Sequence, residues 1–276
     1  MQNEAVGKSP RVSADERRQY VLSLLEKKGS VSVSELSEYF SISEVSVRKL
    51  LVALENEHLL QRRWGGAVKP IRTMNELTYQ VREANYLPEK MAIAKSAYEC
   101  IEEGESVYLD SGTTTFELAK LIKTGTKRNI LVATNALDHA RELVGQKDIN
   151  IILVGGELRH DARACSGYLT KDTIGQMVFD KGFVGVEHIS IEHGITTPNM
   201  REAELKRTII KSSKKSIILA DYSKFWNDSL IQIVPAEKLY RVITDWHISH
   251  EEVYQYKTKG IDIIISKATD AAPSSD

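Results

Sequence analysis

The 276-residue sequence predicts an α/β protein in two parts: a small N-terminal unit of short helices closed by a β-hairpin, then a larger unit on a mostly parallel sheet. Two observations carry this expectation. Between residues 106 and 266, seven short β-branched runs ("SVYLD", "ILVAT", "NIILVGG", "GFVGV", "SIILAD", "RVITD", "IDIIIS") alternate with helical segments such as "TTFELAKLI", "LDHARELV", "REAELKRTIIKSS" and "HEEVYQYK". That alternation is the pattern of a parallel sheet covered on both faces. Ahead of it, residues 13–57 hold three helix start signals in succession.

Composition sets outer limits. At 42% hydrophobic and 27% charged residues, the chain has apolar material for one large or two modest cores, and nothing points to global disorder. Cys100 and Cys165 stand far apart, with no second thiol or His cluster beside either. Neither a disulfide framework nor a zinc site is expected, and a reducing cytoplasm fits. No apolar run approaches the ~20 residues of a membrane span, and the first residues lack the apolar core of a signal peptide. Formal net charge is -1, and residues 1–70 hold eleven Lys/Arg against nine Asp/Glu, too slight an excess to argue for nucleic acid by itself.

In the N-terminal unit, Ser13-Ala14-Asp15-Glu16 is a capping box, and Tyr20, Val21, Leu24 and Leu25 then repeat at helical spacing until Gly29. A helix over about 14–28 follows. Ser32-Val33-Ser34-Glu35 opens a second helix through Phe40, and Ser43, after a tight turn, caps a third. In that third helix Val47, Leu50, Leu51 and Leu54 share one face, leaving Val45, Lys49, Val52 and Asn56 outside with Ser46 and Arg48 on the flanks. Helix, tight turn, helix is the order of a helix-turn-helix, whose second helix presents its N-terminal residues to base edges in the major groove. Ser46, Arg48 and Lys49 suit bases or phosphates, and Val45 suits a thymine methyl. "LLQRRWGGAVKP" then alternates about Gly65-Gly66 as a hairpin, putting Arg62 and Arg63 on a wing. Periodicity fits equally an ordinary three-helix bundle with a solvated charged face.

At these residues the chain resembles the DeoR-type bacterial transcriptional regulators. Their DNA-binding motif, Ser-x-x-Thr-(Ile/Val)-Arg-(Arg/Lys)-Asp-Leu with an Arg-x-x-Gly-Gly-Ala wing, is matched by Ser43-Glu44-Val45-Ser46-Val47-Arg48-Lys49-Leu50-Leu51 and Arg62-Arg63-Trp64-Gly65-Gly66-Ala67. Ser46 keeps the hydroxyl of the usual Thr. Leu50 replaces the usual Asp on the inner face, a change in packing or a local salt link. The resemblance implies a winged helix-turn-helix over 13–70 whose partner is double-stranded operator DNA.

Residues 71–89 read as a linker with the first contacts of the second domain, and 90–268 as that domain. In parallel sheets ligands bind beyond the carboxyl ends of strands. There "YLDSGTTTFELA" runs from a strand through a hydroxyl-rich turn into a helix. Asp110, Ser111, Gly112, Thr113, Thr114 and Thr115 offer hydroxyls, free amides and the positive end of a helix dipole, which suits a phosphate monoester. Capping alone would also explain them. Three more strand ends carry similar residues: Thr134-Asn135, Gly155-Gly156-Glu157 and Asp221-Tyr222-Ser223-Lys224. No Walker loop or Gly-x-Gly-x-x-Gly occurs, so no nucleotide cofactor is expected.

The resemblance extends to these motifs, together with Gly194-Ile195-Thr196-Thr197-Pro198-Asn199 and Glu202-Ala203-Glu204-Leu205-Lys206, and covers roughly residues 13–266. It implies a phosphorylated sugar as effector on a fold similar to ribose-5-phosphate isomerase. Ser111 to Thr115 would take the phosphate, and Lys90, Glu187, Glu202, Lys206, Asp221 and Lys224 would meet the sugar or its phosphate. By themselves Lys206 reads equally as a solvated helix charge and Glu187 as a cap or pair. Phe225 and Trp226 fit a pocket wall or a subunit contact. A rival reading is an isomerase or deaminase on a sugar phosphate with an accessory DNA-binding domain. Such chemistry needs a base and a proton shuttle, and Gly185-Val186-Glu187-His188 supplies one carboxylate and one His. A DNA-binding architectural protein without ligand leaves the converging strand ends unexplained. The expectation is a non-enzymatic repressor, a dimer or tetramer, with no metal and no catalytic residues.

Overall fold

The computed structural model describes residues 13–56, 59–63, 65–68, 79–225 and 227–268. Trp64, Trp226, residues 71–78 of the expected linker and the side chain of Arg63 lie outside the described residues. The chain divides after Thr73 into two compact units.

The first unit runs α1 (Ala14–Lys28), β1 (Ser30–Ser32), α2 (Val33–Phe40), α3 (Glu44–Asn56), β2 (Gln61–Arg63) and β3 (Gly66–Val68). The capping box forms: the Glu16 amide donates to Ser13 Oγ at 3.2 Å and the Ser13 amide to the Glu16 carboxylate at 2.6 Å. Gly29, in the left-handed region at φ 73°, ends α1. Ser32 caps α2, and the Ser46 amide donates to Ser43 Oγ at 3.3 Å at the start of α3. Val21, Leu25, Leu36, Phe40, Val47, Leu51 and Leu54 close one core over the wing residues Val31 and Ala67. Leu50 is half-buried against it. Of the two valines expected outside, Val45 is 60% exposed, whereas Val52 is half-buried. Periodicity takes α3 alone, and β2 packs back against it.

The wing has three antiparallel strands in the order β1-β3-β2, one more than the expected hairpin. Gly66 is required here. A Cβ on it would lie 2.1 Å from the Val31 carbonyl oxygen.

The second unit opens with α4 (Tyr79–Ala84) and α5 (Leu87–Glu99). The stretch read as linker is therefore helical over 79–84 and 87–89, with a turn at Asn85 and Tyr86 between. The order continues β4 (Ser106–Leu109), α6 (Thr113–Thr124), β5 (Ile130–Thr134), α7 (Leu137–Leu143), β6 (Ile149–Leu153), β7 (Glu157–Arg159), β8 (Ala164–Ser166) and α8 (Tyr168–Gly175). It ends β9 (Phe179–Gly185), β10 (His188–Ser190), β11 (Gly194–Thr197), α9 (Met200–Lys211), β12 (Ser213–Leu219), β13 (Ile231–Val234), β14 (Arg241–Thr244), α10 (His250–Thr258) and β15 (Asp262–Ile265). The seven expected strands make one sheet in the order β15-β14-β12-β9-β4-β5-β6, and every neighbouring pair is parallel.

Strand periodicity divides the core. Val107, Leu109, Phe183, Ile217 and Leu219 point to the face covered by α5, α6 and α7. Tyr108, Val184 and Ile218 point to the opposite face, with Ile174 of α8, Ala203, Leu205 and Ile209 of α9 and Val253 and Tyr256 of α10. Burial on both faces is why these strands read as continuous apolar runs. Phe225 packs edge-on against Tyr256 inside this core, which removes it as pocket wall or subunit contact. From β4 the chain builds outward through β5 and β6, then returns to β9 on the other side of β4. The carboxyl ends of β4 and β9 thus flank a topological switch point, where such sheets hold ligands.

Candidate functional site

On the first unit, Ser43, just ahead of α3, and Glu44, Val45, Ser46, Arg48 and Lys49 of α3 face solvent. Arg48 pairs with Glu44 one turn back at 2.7 Å, and the Arg62 guanidinium on the wing pairs with Glu55. Exposed pairs like these contribute only a few tenths of a kcal/mol to about 1. A phosphate can therefore displace either carboxylate.

The switch point of the second unit is built around a buried ion pair. The Asp110 amide donates to the Phe183 carbonyl at 3.0 Å as the chain leaves β4. Its buried carboxylate takes Lys206 of α9, whose ammonium also donates to the Gly185 carbonyl at 2.6 Å and lies 3.2 Å from Glu202. Burial works against the Lys206 charge, but Asp110 and then Glu202 hold its pKa above the ordinary lysine range. Lys206 is no solvated helix charge.

Beside it the turn into α6 is locked by Thr115. Its Oγ1 accepts the Gly112 amide at 2.9 Å, lies 2.6 Å and 2.7 Å from the Asp110 and Gly112 carbonyls, and meets His139 Nε2 at 3.0 Å. With the hydroxyl proton committed to a carbonyl, His139 must donate from Nε2, and its buried Nδ1 has no hydrogen-bond partner. The amides that open α6 have no intrahelical acceptor, so the fixed turn offers donors at the positive end of the helix dipole. Burial lowers the His139 pKa from 6.5 to about 4. The folded protein thus refuses a proton that the unfolded chain accepts, and stability present above pH 6.5 is lost as pH falls toward 4, by up to ~3 kcal/mol. Urea midpoints at pH 7 and pH 4.5 are expected to fall less in His139→Gln than in the wild type; equal falls would show that His139 does not set the acid limit.

Around this turn stand further cations. Arg82 of α4 pairs with Glu187, just past β9, at 2.9 Å. Burial raises the Glu187 pKa, yet the charges of Lys224, Arg82 and Lys206 outweigh it and lower it to about 2. The buried Lys90 donates to the carbonyls of Arg82 and Asn85 and so ties down the end of α4. Burial, against the pull of Asp221, lowers its pKa to about 8. Asp221 itself accepts the Ser223 amide at 3.1 Å and caps the short 3-10 turn carrying Lys224.

A narrow cleft of about 20 Å³ opens at the switch point beside Asp110 and Arg82. Of the residues singled out in the sequence, Asp110, Ser111, Asn135 and Glu202 line it. Asn135 is oriented by the Tyr108 hydroxyl at 2.9 Å and the Cys165 carbonyl at 2.8 Å. Others support the walls. Thr134 Oγ1 accepts the Ala136 amide, the Gly155 carbonyl accepts the Thr170 hydroxyl, and a Cβ on Gly156 would sit 2.0 Å from Thr170 Oγ1. Sequence reasoning missed Arg82, Arg159, Arg201 and Ser166 in the lining, and His139 behind it. Arginines on a hairpin or at a helix start carry no periodic signal that separates them from solvated charge.

Away from the cleft, Glu192, His193 and Asp228 come together, a grouping the sequence reading did not foresee. Both Asp228 oxygens are already engaged, by Ser190 at 2.6 Å and His193 at 3.0 Å. Among the described residues no helix is long and apolar enough to cross a membrane. Proton abstraction from a sugar carbon needs a base with a pKa nearer neutrality, and Glu187, at about 2 and paired with Arg82, is a poor one.

Residues 17–73 match the DeoR-like helix-turn-helix domain and residues 86–246 the DeoR C terminal sensor domain. Over 250 residues the chain is 33% identical to the HTH-type transcriptional regulator GlpR of Haloferax volcanii, covering 90% of this chain and 96% of that one. Over 249 residues it is 30% identical to the glycerol-3-phosphate regulon repressor of Escherichia coli, covering 86% and 98%. The solved ribose 5-phosphate isomerase A from Neisseria gonorrhoeae overlaps 49% of this chain at 17% identity and a TM-score of 0.35. The chain spans about half of that enzyme, 52% of its length, and so slight a likeness bears nothing on activity. With both domain types in order along one chain, the protein belongs to the DeoR family of helix-turn-helix transcriptional regulators, and it is not an enzyme.

Proposed function

We propose that this protein is a repressor of a carbohydrate-utilisation operon whose grip on operator DNA is modulated by a phosphorylated sugar. Residues 13–70 hold the operator, with Ser43 to Lys49 of α3 in the major groove and Arg62 and Arg63 against the backbone. Residues 90–268, joined to them by a connection over 71–89, form the sensor. The supporting observation is the cleft at the β4/β9 switch point, where the locked turn into α6 meets cations from α4 and α9. The phosphate docks on Ser111 to Thr115, and Glu202, Lys206, Glu187, Lys90, Asp221 and Lys224 hold or frame the sugar. Charge-assisted hydrogen bonds contribute ~1.5–3 kcal/mol each, enough to bias an equilibrium between arrangements coupled by ~1–3 kcal/mol. A homo-oligomer, dimer or tetramer, in the cytoplasm sets paired recognition helices on half-sites about one DNA turn, ~34 Å, apart.

Titrating sugar phosphates into an operator-binding assay tests the reading, which fails if none changes the affinity. Arg48→Ala is expected to weaken operator binding by ~1–3 kcal/mol with the melting temperature unchanged. Unaltered binding would remove Arg48 from the readout.

A further inference from the structure

A buried carboxylate stands behind the cations of the sensor site. Asp245 follows β14 directly, is wholly buried and does not line the cleft. Its Oδ2 accepts the Tyr222 amide at 2.8 Å, while Oδ1 accepts the His247 amide at 2.9 Å and lies 3.0 Å from His247 Nδ1. Among the described residues no Lys or Arg pairs with it. Burial pushes its pKa up, the charge of the equally buried Asp221 adds to the push, and the two amides oppose it. A carboxylate kept in such a place without a cation costs stability. What it secures is position.

The groups it holds lie on two sides of the site. Tyr222 opens the 3-10 turn that carries Lys224, and Lys224 is first among the charges that keep Glu187 ionised. Asp221 holds the Ser223 amide at 3.1 Å and Asp245 the Tyr222 amide, so carboxylates fix both amides at the start of the turn. On the other side the Tyr222 ring packs against His247 at 4.7 Å and edge-on against Tyr86 at 5.3 Å between centroids. Tyr86 joins α4 to α5 in the left-handed region at φ 56°, a conformation that a residue with a side chain keeps only where its surroundings enforce it. Its carbonyl accepts the Lys90 amide at 3.0 Å. His247 Nδ1 also faces Glu89 of α5 at 3.6 Å. The tip of β14 is thereby joined through direct contacts to the Lys224 turn and to the segment bearing Lys90.

Resting on the sugar-phosphate reading above, we propose that Asp245 is the positioning residue of the sensor site: it sets Lys224 through the Tyr222 amide and Lys90 through the packing of Tyr222 on Tyr86, without touching the effector.

Lysine acylation on the full chain, followed by mass spectrometry, tests the hold. In Asp245→Ala the rate at Lys224 is expected to rise fivefold or more and that at Lys90 threefold or more. Lys181, buried near the amino end of β9, is expected to keep its rate, which a general loosening would raise as well. Tyr222→Ala keeps the backbone hydrogen bond and removes the ring, so Lys90 is expected to rise while Lys224 stays within twofold. Calorimetry with glucose 6-phosphate, fructose 1-phosphate and ribose 5-phosphate tests the consequence: whichever of them the wild type binds is expected to bind Asp245→Ala tenfold or more weaker. Unchanged rates at Lys224 and Lys90, a matching rise at Lys181, an unmoved Lys90 in Tyr222→Ala, or an unchanged affinity overturns the proposal. A wild type that binds none of the three compounds counts against the sugar-phosphate reading, and the hold of Asp245 on the turn then stands or falls on the acylation rates alone.

Discussion

Lys206→Met is expected to destabilise the second unit by about 3–5 kcal/mol, the largest effect of any single side chain in the site. Lys206 and Asp110 are both buried, and the ammonium is shared among Asp110, Glu202 and the Gly185 carbonyl. Methionine fills much of the volume and leaves the buried Asp110 carboxylate without its ammonium partner. Breaking one partner of such a pair is far worse than replacing both. The double variant Asp110→Asn, Lys206→Met should accordingly recover part of the loss. Urea unfolding reads the difference as a shift in midpoint at constant slope. A loss below ~1 kcal/mol would mean that the pair is solvated and that α9 is not anchored through it.

Leu54→Ala is expected to melt the DNA-binding unit while leaving the second unit folded. Leu54 is wholly buried where α3 meets the core, and such truncations cost ~2–5 kcal/mol. A unit ending at Thr73 buries only ~60% of the surface that its unfolded chain exposes, so a loss of that size approaches its whole stability. Operator binding should vanish and helical circular dichroism fall in part, with sugar-phosphate binding retained. Wild-type operator affinity at 25 °C would contradict this.

The seven strands of the sheet were legible because each is a β-branched run buried on both faces, and α1, α2 and α6 because their caps are written in Ser, Thr and Gly. Elements with mixed patterns were not. In α5, "LPEKMAIAKSAYE", Lys90 is buried beside Ala92, Ile93 and Ala94, and a lysine on an inner face erases the amphipathic signal. The β7–β8 hairpin and the antiparallel β10-β11-β13 sheet are three- and four-residue strands fixed by tertiary pairing, too short for a period to register. The same holds for the site. Asp110, Ser111, Asn135 and Glu202 sit at strand or helix ends, where sequence order implies position. Arg82, Arg159 and Arg201 reach the cleft from three separate elements, which only the folded chain brings together.

The order of strands also governs how the chain is made. Leu109 of β4 pairs with Phe183 of β9, more than seventy residues further on, so the middle of the sheet cannot close until most of the second unit has left the ribosome. Until then β4, β5 and β6 expose β4 as a raw edge rich in apolar residues, an invitation to pair with neighbouring chains. The local contacts of the first unit close early by comparison. Nascent chains therefore carry a finished DNA-binding head before the sensor exists, and misassembly on overproduction should begin at β4, relieved by slower synthesis at lower temperature.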